Sequence, residues 1–172
     1  MEKIAEAGRV VKADDPNMRE IKEVLRRLTY GLYAVTVKVG AESGGMTANW
    51  ISQCSASPPM LMIAMETDSH TLALVRRSDR FFVSLYEESQ RSLAARISKP
   101  SARTPEKLDA VAFVETPAGI PVPAGTLAWL ECVLRSEVPS GDHVIVTAEV
   151  VRTGGSQPGV ALTLLASGFR YG

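Results

Sequence analysis

Apolar positions change their spacing several times along the chain, and each change marks an element. Ile21, Val24, Leu25 and Leu28 recur at i, i+3, i+4 and i+7, with Arg19, Lys22, Glu23, Arg26 and Arg27 on the other face. That spacing predicts an amphipathic helix that packs on something. Asp15-Pro16-Asn17 supplies turn and capping chemistry in front of it. Residues 1–16 carry little pattern and are expected to form an N-terminal arm, leaving 17–172 as one domain. From Gly31 the period falls to two, which predicts a strand over 32–39, a hairpin loop over 40–45 and a returning strand over 46–54. Ser57-Pro58-Pro59 should break that ladder, since neither proline can donate. Residues 61–65 are almost wholly apolar and suit a strand buried on both faces.

Ser69 is placed to cap a helix reaching about Arg77, and 81–86 reads as the next strand. A helix over 90–97, a polar loop over 99–105 and a weak strand over 111–115 follow. Two long strands, 127–138 and 143–152, flank Pro139-Ser140-Gly141-Asp142, which has the residues of a tight reversal. Residues 160–165 read as a final strand. Some seven or eight strands at hairpin spacing, with short helices and no βαβ alternation, predict a mainly β, antiparallel, closed or nearly closed barrel with helices at its rim.

At 172 residues the chain suits a single core. Lys plus Arg and Asp plus Glu are 19 each, so the net charge is zero and the electrostatic footprint of a nucleic-acid binder is missing. No apolar run is long enough to span a bilayer, and the first residues lack the apolar core of a signal peptide, so a cytoplasmic protein is expected. Cys54 and Cys132 are far apart and expected to be free, buried thiols. His70 and His143 are the only histidines and neither has a second soft ligand at metal spacing, so no metal site is expected.

Three stretches carry candidate chemistry. Thr47, Ala48, Asn49 and Trp50, continuing to Cys54 and Ser55, put hydroxyls, an amide and small residues where a plain core strand would carry Val and Ile. Either they face solvent, or they let a planar ligand approach backbone N–H groups. Ser69, His70 and Thr71 open a helix, where they cap it or meet an anion such as phosphate. Gly141-Asp142-His143 either shapes a turn or places an imidazole against a bound ring or carboxamide.

Taken together these segments resemble the flavin reductase-like, FMN-binding split-barrel family. The likeness is carried by the strand Gly31-Leu32-Tyr33-Ala34-Val35-Thr36, by Gly45-Met46-Thr47-Ala48-Asn49-Trp50, and by Ser55-Ala56-Ser57-Pro58-Pro59. Ser69-His70-Thr71, Arg80-Phe81-Phe82-Val83-Ser84, Gly141-Asp142-His143 and Ser167-Gly168-Phe169-Arg170-Tyr171 continue it in order. The chain is most similar to flavoredoxins and to the reductase modules of diflavin flavoproteins and high-molecular-weight rubredoxins. The resemblance implies a six-stranded Greek-key split barrel, a homodimer, and FMN (or FAD) near the subunit interface. It implies NADH or NADPH as electron donor and a redox partner protein or other acceptor downstream. By position, Thr47, Ala48, Asn49, Trp50, Cys54 and Ser55 would line the isoalloxazine and ribityl chain; Ser69, His70 and Thr71 would lie near the phosphate. His143 would serve catalysis beside flavin and nicotinamide. The implied activity is an NAD(P)H-dependent flavin oxidoreductase, with a non-enzymatic FMN-binding electron carrier as the alternative. Trp50 stands where many relatives carry Ser, Ser57 replaces an Asp or Asn, and Glu106-Lys107-Leu108 only partly matches Asp-Lys-Phe.

Overall fold

A computed structural model describes residues 17–169. The expected arm at 1–16, and the last two residues of the closing segment, Arg170 and Tyr171, lie outside the described residues.

The order of elements is α1 (Asn17–Leu25), β1 (Tyr33–Val39), β2 (Glu42–Ala48), β3 (Ile51–Ala56), β4 (Pro59–Glu66), α2 (His70–Ser78) and β5 (Arg80–Leu85). Then come α3 (Arg91–Ile97), β6 (Phe113–Val114), β7 (Val122–Pro123), β8 (Ala128–Ser140), β9 (His143–Gly154) and α4 (Leu164–Ser167). Seven strands form one sheet in the order β2-β1-β5-β8-β9-β4-β3, and β6 pairs with β7 as a separate ribbon. Every ladder is antiparallel. The mainly β, antiparallel class is as expected, with one strand more in the sheet than the resemblance implies.

The edge strands decide the shape. The segment expected to be one strand over 46–54 is two, β2 and β3, at opposite ends of the sheet, with only Asn49 and Trp50 between them. So short a link forces the sheet to curl until β2 lies against β4, while Ala64 N–H, donating to the carbonyl of Trp50 at 3.0 Å, extends the β3–β4 ladder to the link itself. The curled sheet is a barrel with one open seam.

Hydrophobic alternation explains the layers. Val35, Val37, Ile63, Met65, Phe81, Val83, Val144 and Val146 point inward with Leu72 and Val75 of α2 and form the main core. Phe82, next to Phe81, points outward and is covered by Ile120, Val122 and Trp129. Ala34 and Tyr86 also face outward and pack with Leu32, Ala94 of α3 and Leu162. The strands buried on both faces are therefore β1 and β5, not residues 61–65. In β4, Met62 is 42% exposed, because no helix or ribbon covers that outer face.

Other expectations are corrected by hydrogen bonding. No residue of α1 is buried, and Val24, Leu25 and Leu28 are exposed. The loop over 40–45 shrinks to a turn at Gly40, since β2 already begins at Glu42. Ser57-Pro58-Pro59 does not end the ladder but makes the β3–β4 turn, with Ser57–Pro58 cis and Pro59 pairing with Ala56. Residues 160–165 make two isolated bridges, Glu87 to Ala161 and Gly31 to Thr163, before α4. At Gly44 a Cβ would meet the tip of Leu74, Cδ1, at 2.6 Å, so glycine leaves room for that α2 side chain on β2.

A candidate flavin site at the barrel seam

The open seam is a cavity of about 480 Å³, within the range of small-molecule sites. Its floor is the free edge of β2, from Met46 through Ala48, with Ala64 of β4 across the gap. Alanines at these two positions keep the walls close to the backbone. Asn49 and Trp50 close one end.

Most of the residues singled out in the sequence converge here. Thr47, Ala48, Asn49, Trp50, Ser69, His70, Thr71 and His143 all line the cavity. Cys54 and Ser55 do not: they sit on the far edge strand β3, at an irregularity in its pairing with β4, and Cys54 is exposed. The split of the expected strand into β2 and β3 carries them away.

Thr47 contributes main chain rather than hydroxyl. Its Oγ1 donates to the carbonyl of Ala94 at 2.8 Å and accepts from the Tyr86 hydroxyl at 3.0 Å, which ties β2 to α3. Asn49 is different. It is 8% exposed, yet its side-chain nitrogen has no hydrogen-bond partner. A buried amide left so costs about 1–3 kcal/mol, which a ligand oxygen would recover.

Ser69 caps α2 by accepting from Leu72 N–H at 3.4 Å, and its hydroxyl points its proton toward the sulfur of Met46. His70 and Thr71 follow in the first turn, where free N–H groups and the helix dipole favour an anion.

On the β9 side, positive φ at Gly141 makes the two-residue reversal that starts β9 at His143. His143 Nδ1 lies 2.6 Å from Asp142 Oδ1, and its ring meets Trp50 at 4.8 Å, tilted by 50°. The hydrogen bond to His143, its charge, and a smaller contribution from Lys22 hold the Asp142 carboxyl below its ordinary range. The Asp142 carbonyl also accepts from Thr67 N–H, which joins this turn to the approach to α2.

Part of the site comes from the basic stretch over 76–107, whose charges read in the sequence mostly as solvated helix faces, with one or two able to meet the phosphates of a nucleotide. The loop after α3 supplies Ser98, Lys99, Pro100, Ser101 and Ala102 to the cavity, and Lys107 lies behind it. Lys107 is only 5% exposed, and its ammonium donates to the carbonyls of Ile97 and Lys99 at 3.1 and 2.6 Å. Burial lowers its pKa. The signal was the partial match at Glu106-Lys107-Leu108, but nothing local announces that a lysine there turns inward. Asp142 reads in the sequence as turn chemistry alone, and nothing in the sequence marks Glu66 or Asp68.

Among the described residues no three His, Cys, Asp or Glu side chains cluster to hold a metal. Among them also, no helix is long and apolar enough to cross a membrane.

Comparison with known proteins agrees with this architecture. The profile of a family described as "Flavin reductase like domain" matches residues 25–171. The diflavin flavoprotein A 1 of Synechocystis sp. is 31% identical over 134 residues, which are 76% of this chain and 23% of that protein. The chain thus spans about a quarter of the length of the diflavin flavoproteins it matches. The NADH:FAD oxidoreductase SgcE6 of Streptomyces globisporus, solved with NAD and FAD fragments, superposes with a TM-score of 0.80 and 30% identity, over 91% of this chain and 94% of that one. BorF, the flavin reductase component of a bacterial two-component tryptophan halogenase, gives 0.77 and 26%, over 89% and 96%. A sheet whose seam opens beside Asn49, and a profile that runs from the end of α1 to the last residues, lead to one assignment: the chain belongs to the flavin reductase like domain family.

Proposed function

We infer that this chain is an NAD(P)H-dependent flavin oxidoreductase that holds FMN, or FAD in its place, along the seam. The observation that carries the reading is Asn49, a residue of the cavity lining whose buried side-chain nitrogen has no hydrogen-bond partner. The lining fits a flavin in kind: small residues on a strand edge for a flat ring, and a cationic, hydroxyl-bearing quarter for a phosphate.

A bound flavin supplies a ring that accepts hydride from a nicotinamide and passes electrons onward. The chain's own residues supply position and environment. Ala48 and Asn49 would hold the ring edge, and Ser69, His70 and Thr71, with Lys99 and Lys107 nearby, would hold the phosphate. His143, kept in one orientation by Asp142, would contact the nicotinamide. Trp50 would shield the mouth from water. Cys54 and Ser55 enter only if a second subunit brings its β3 to the seam, since their own strand lies elsewhere.

A homodimer is part of the proposal. Met62, Ala64, Ile145 and Val138 share the uncovered outer face of β4, β9 and β8, and that face runs into the cavity at Ala64. Light scattering on a sizing column checks it: a dimer mass supports the reading, a monomer mass removes it.

Likeness to the diflavin flavoproteins, where a matching stretch is a quarter of a longer chain, favours a second reading as an electron carrier served by a protein donor. One experiment separates them. Purified protein with added FMN is scanned in the visible range, then mixed anaerobically with NADH and NADPH. Bound yellow flavin bleached promptly by either nucleotide supports the enzyme; bound flavin indifferent to both supports the carrier. Protein that retains no flavin overturns both.

A further inference from the structure

One wall of the cavity joins an aromatic face to negative charge. Trp50 leaves its indole 39% exposed, although its carbonyl is engaged by Ala64 N–H. The backbone is fixed and the ring stays at the rim. That ring rests against His143, and His143 is held by Asp142, whose side chain is 93% exposed. Glu66, register partner of His143, and Asp68 line the cavity with them. His143 is the first cation whose charge reaches Asp142 and Lys22 a weaker second, so the carboxylates of Asp142, Glu66 and Asp68 outnumber the cations at this wall, while Lys99 and Lys107 belong to the wall made by the 98–102 loop. An independent sign that a ligand comes to this end is Asn49, adjacent to Trp50, more than nine-tenths buried and with its amide nitrogen unpartnered.

We propose that the Trp50–His143–Asp142 wall recognises a planar cationic ring, the oxidised pyridinium form of nicotinamide, in preference to the neutral reduced form. This inference rests on the flavin–nicotinamide reading above. In that transfer the C4–H bond of the dihydronicotinamide breaks, and the hydrogen leaves with both bonding electrons for the flavin, which is reduced. The nicotinamide is oxidised and becomes a pyridinium with one positive charge. An indole face attracts such a charge through its quadrupole, and carboxylates attract it directly. The attraction grows as the charge develops, so it acts on the transition state more than on the bound donor. It also holds the oxidised product, which makes NAD(P)+ an inhibitor competitive with the donor.

The test compares 1-methylnicotinamide, a fixed cation, with neutral nicotinamide on the FMN-loaded protein. NMR titrations follow the backbone N–H resonance of His143, which every variant retains. The cation should bind about three- to five-fold more tightly than the neutral ring. Trp50→Leu should bring the ratio to about one, Trp50→Phe should keep part of it, and Asp142→Asn should lower it. Both positions are exposed enough for these variants to fold, and melting curves verify that. Equal affinities in the wild type, no detectable cation binding, or a preference that survives both Trp50→Leu and Asp142→Asn would each overturn the proposal while leaving the flavin site in place. Failure of FMN to load overturns the site itself, and this proposal with it.

Discussion

The ammonium of Lys107 donates to the carbonyl of Ile97 at 3.1 Å, closing the last turn of α3 where the cavity loop begins. A second donation, to Lys99, fixes the loop's first bend. Lys107→Met keeps the apolar stem and removes both bonds. Hydrogen bonds from a charged donor are worth about 1.5–3 kcal/mol, so flavin affinity should fall by about ten-fold or more, read by fluorescence titration with FMN.

The same lysine gives a pH signature. Burial lowers its folded pKa below 10.5, so between that value and 10.5 the unfolded chain holds more protons. Stability from this group therefore rises with pH across that window. Urea midpoints measured from neutral pH upward should rise less steeply, or fall, in Lys107→Met.

Asn49→Leu sets stability against binding. Removing a buried donor that has no partner should stabilise the flavin-free protein by about 1–3 kcal/mol, while the loss of that donor weakens FMN binding. Thermal melts with and without FMN check both. A variant less stable than wild type in the absence of flavin, yet unchanged in affinity, would remove Asn49 from the site.

Gly44→Ala should destabilise the fold by about 1–3 kcal/mol, because the new methyl would press on Leu74 at 2.6 Å and Val37 at 3.2 Å. The methyl meets the tip of the Leu74 side chain, while the α2 backbone at Thr71 stays in ordinary contact at 3.6 Å. Melting temperature should decline.

The two thiols should behave differently. Cys54 is exposed and should react with a disulfide reagent in the native protein; Cys132 is buried and should react only after unfolding. Burial, reinforced by the charge of Glu131, pushes the Cys132 thiol from 9.0 up to about 12. Above pH 9 the unfolded chain loses this proton first, so stability falls as pH rises toward 12, opposite in sign to the Lys107 effect. Cys132→Val should flatten that decline in urea midpoints taken between pH 9 and 11.

What the sequence disclosed follows from which forces are local. The period-two stretches at β1, β5, β8 and β9, the Ser69 cap and the Gly141 reversal all depend on neighbours within a few residues, and they stand where the pattern put them. The division of 46–54 does not. It depends on the sheet curling until its margins meet, a tertiary fact that no run of hydroxyl and small residues reports. Cys54 and Ser55 stand away from the seam of their own chain for that reason. Likewise, burial of β5 on both faces depends on Ile120 and Val122 arriving from almost forty residues later. Lys107 reads as one more surface charge until η-type turning at 105–108 carries it inward, because a cation satisfied by carbonyls leaves no mark in residue spacing.

The Asn49–Trp50 link has a consequence for the life of the protein. A guest lodged beside it spans two margins that backbone pairing leaves unsealed, and its grip draws on the same free energy that keeps the sheet rolled. Binding to the folded form alone stabilises it by mass action, so resistance to proteases should rise with the concentration of free flavin.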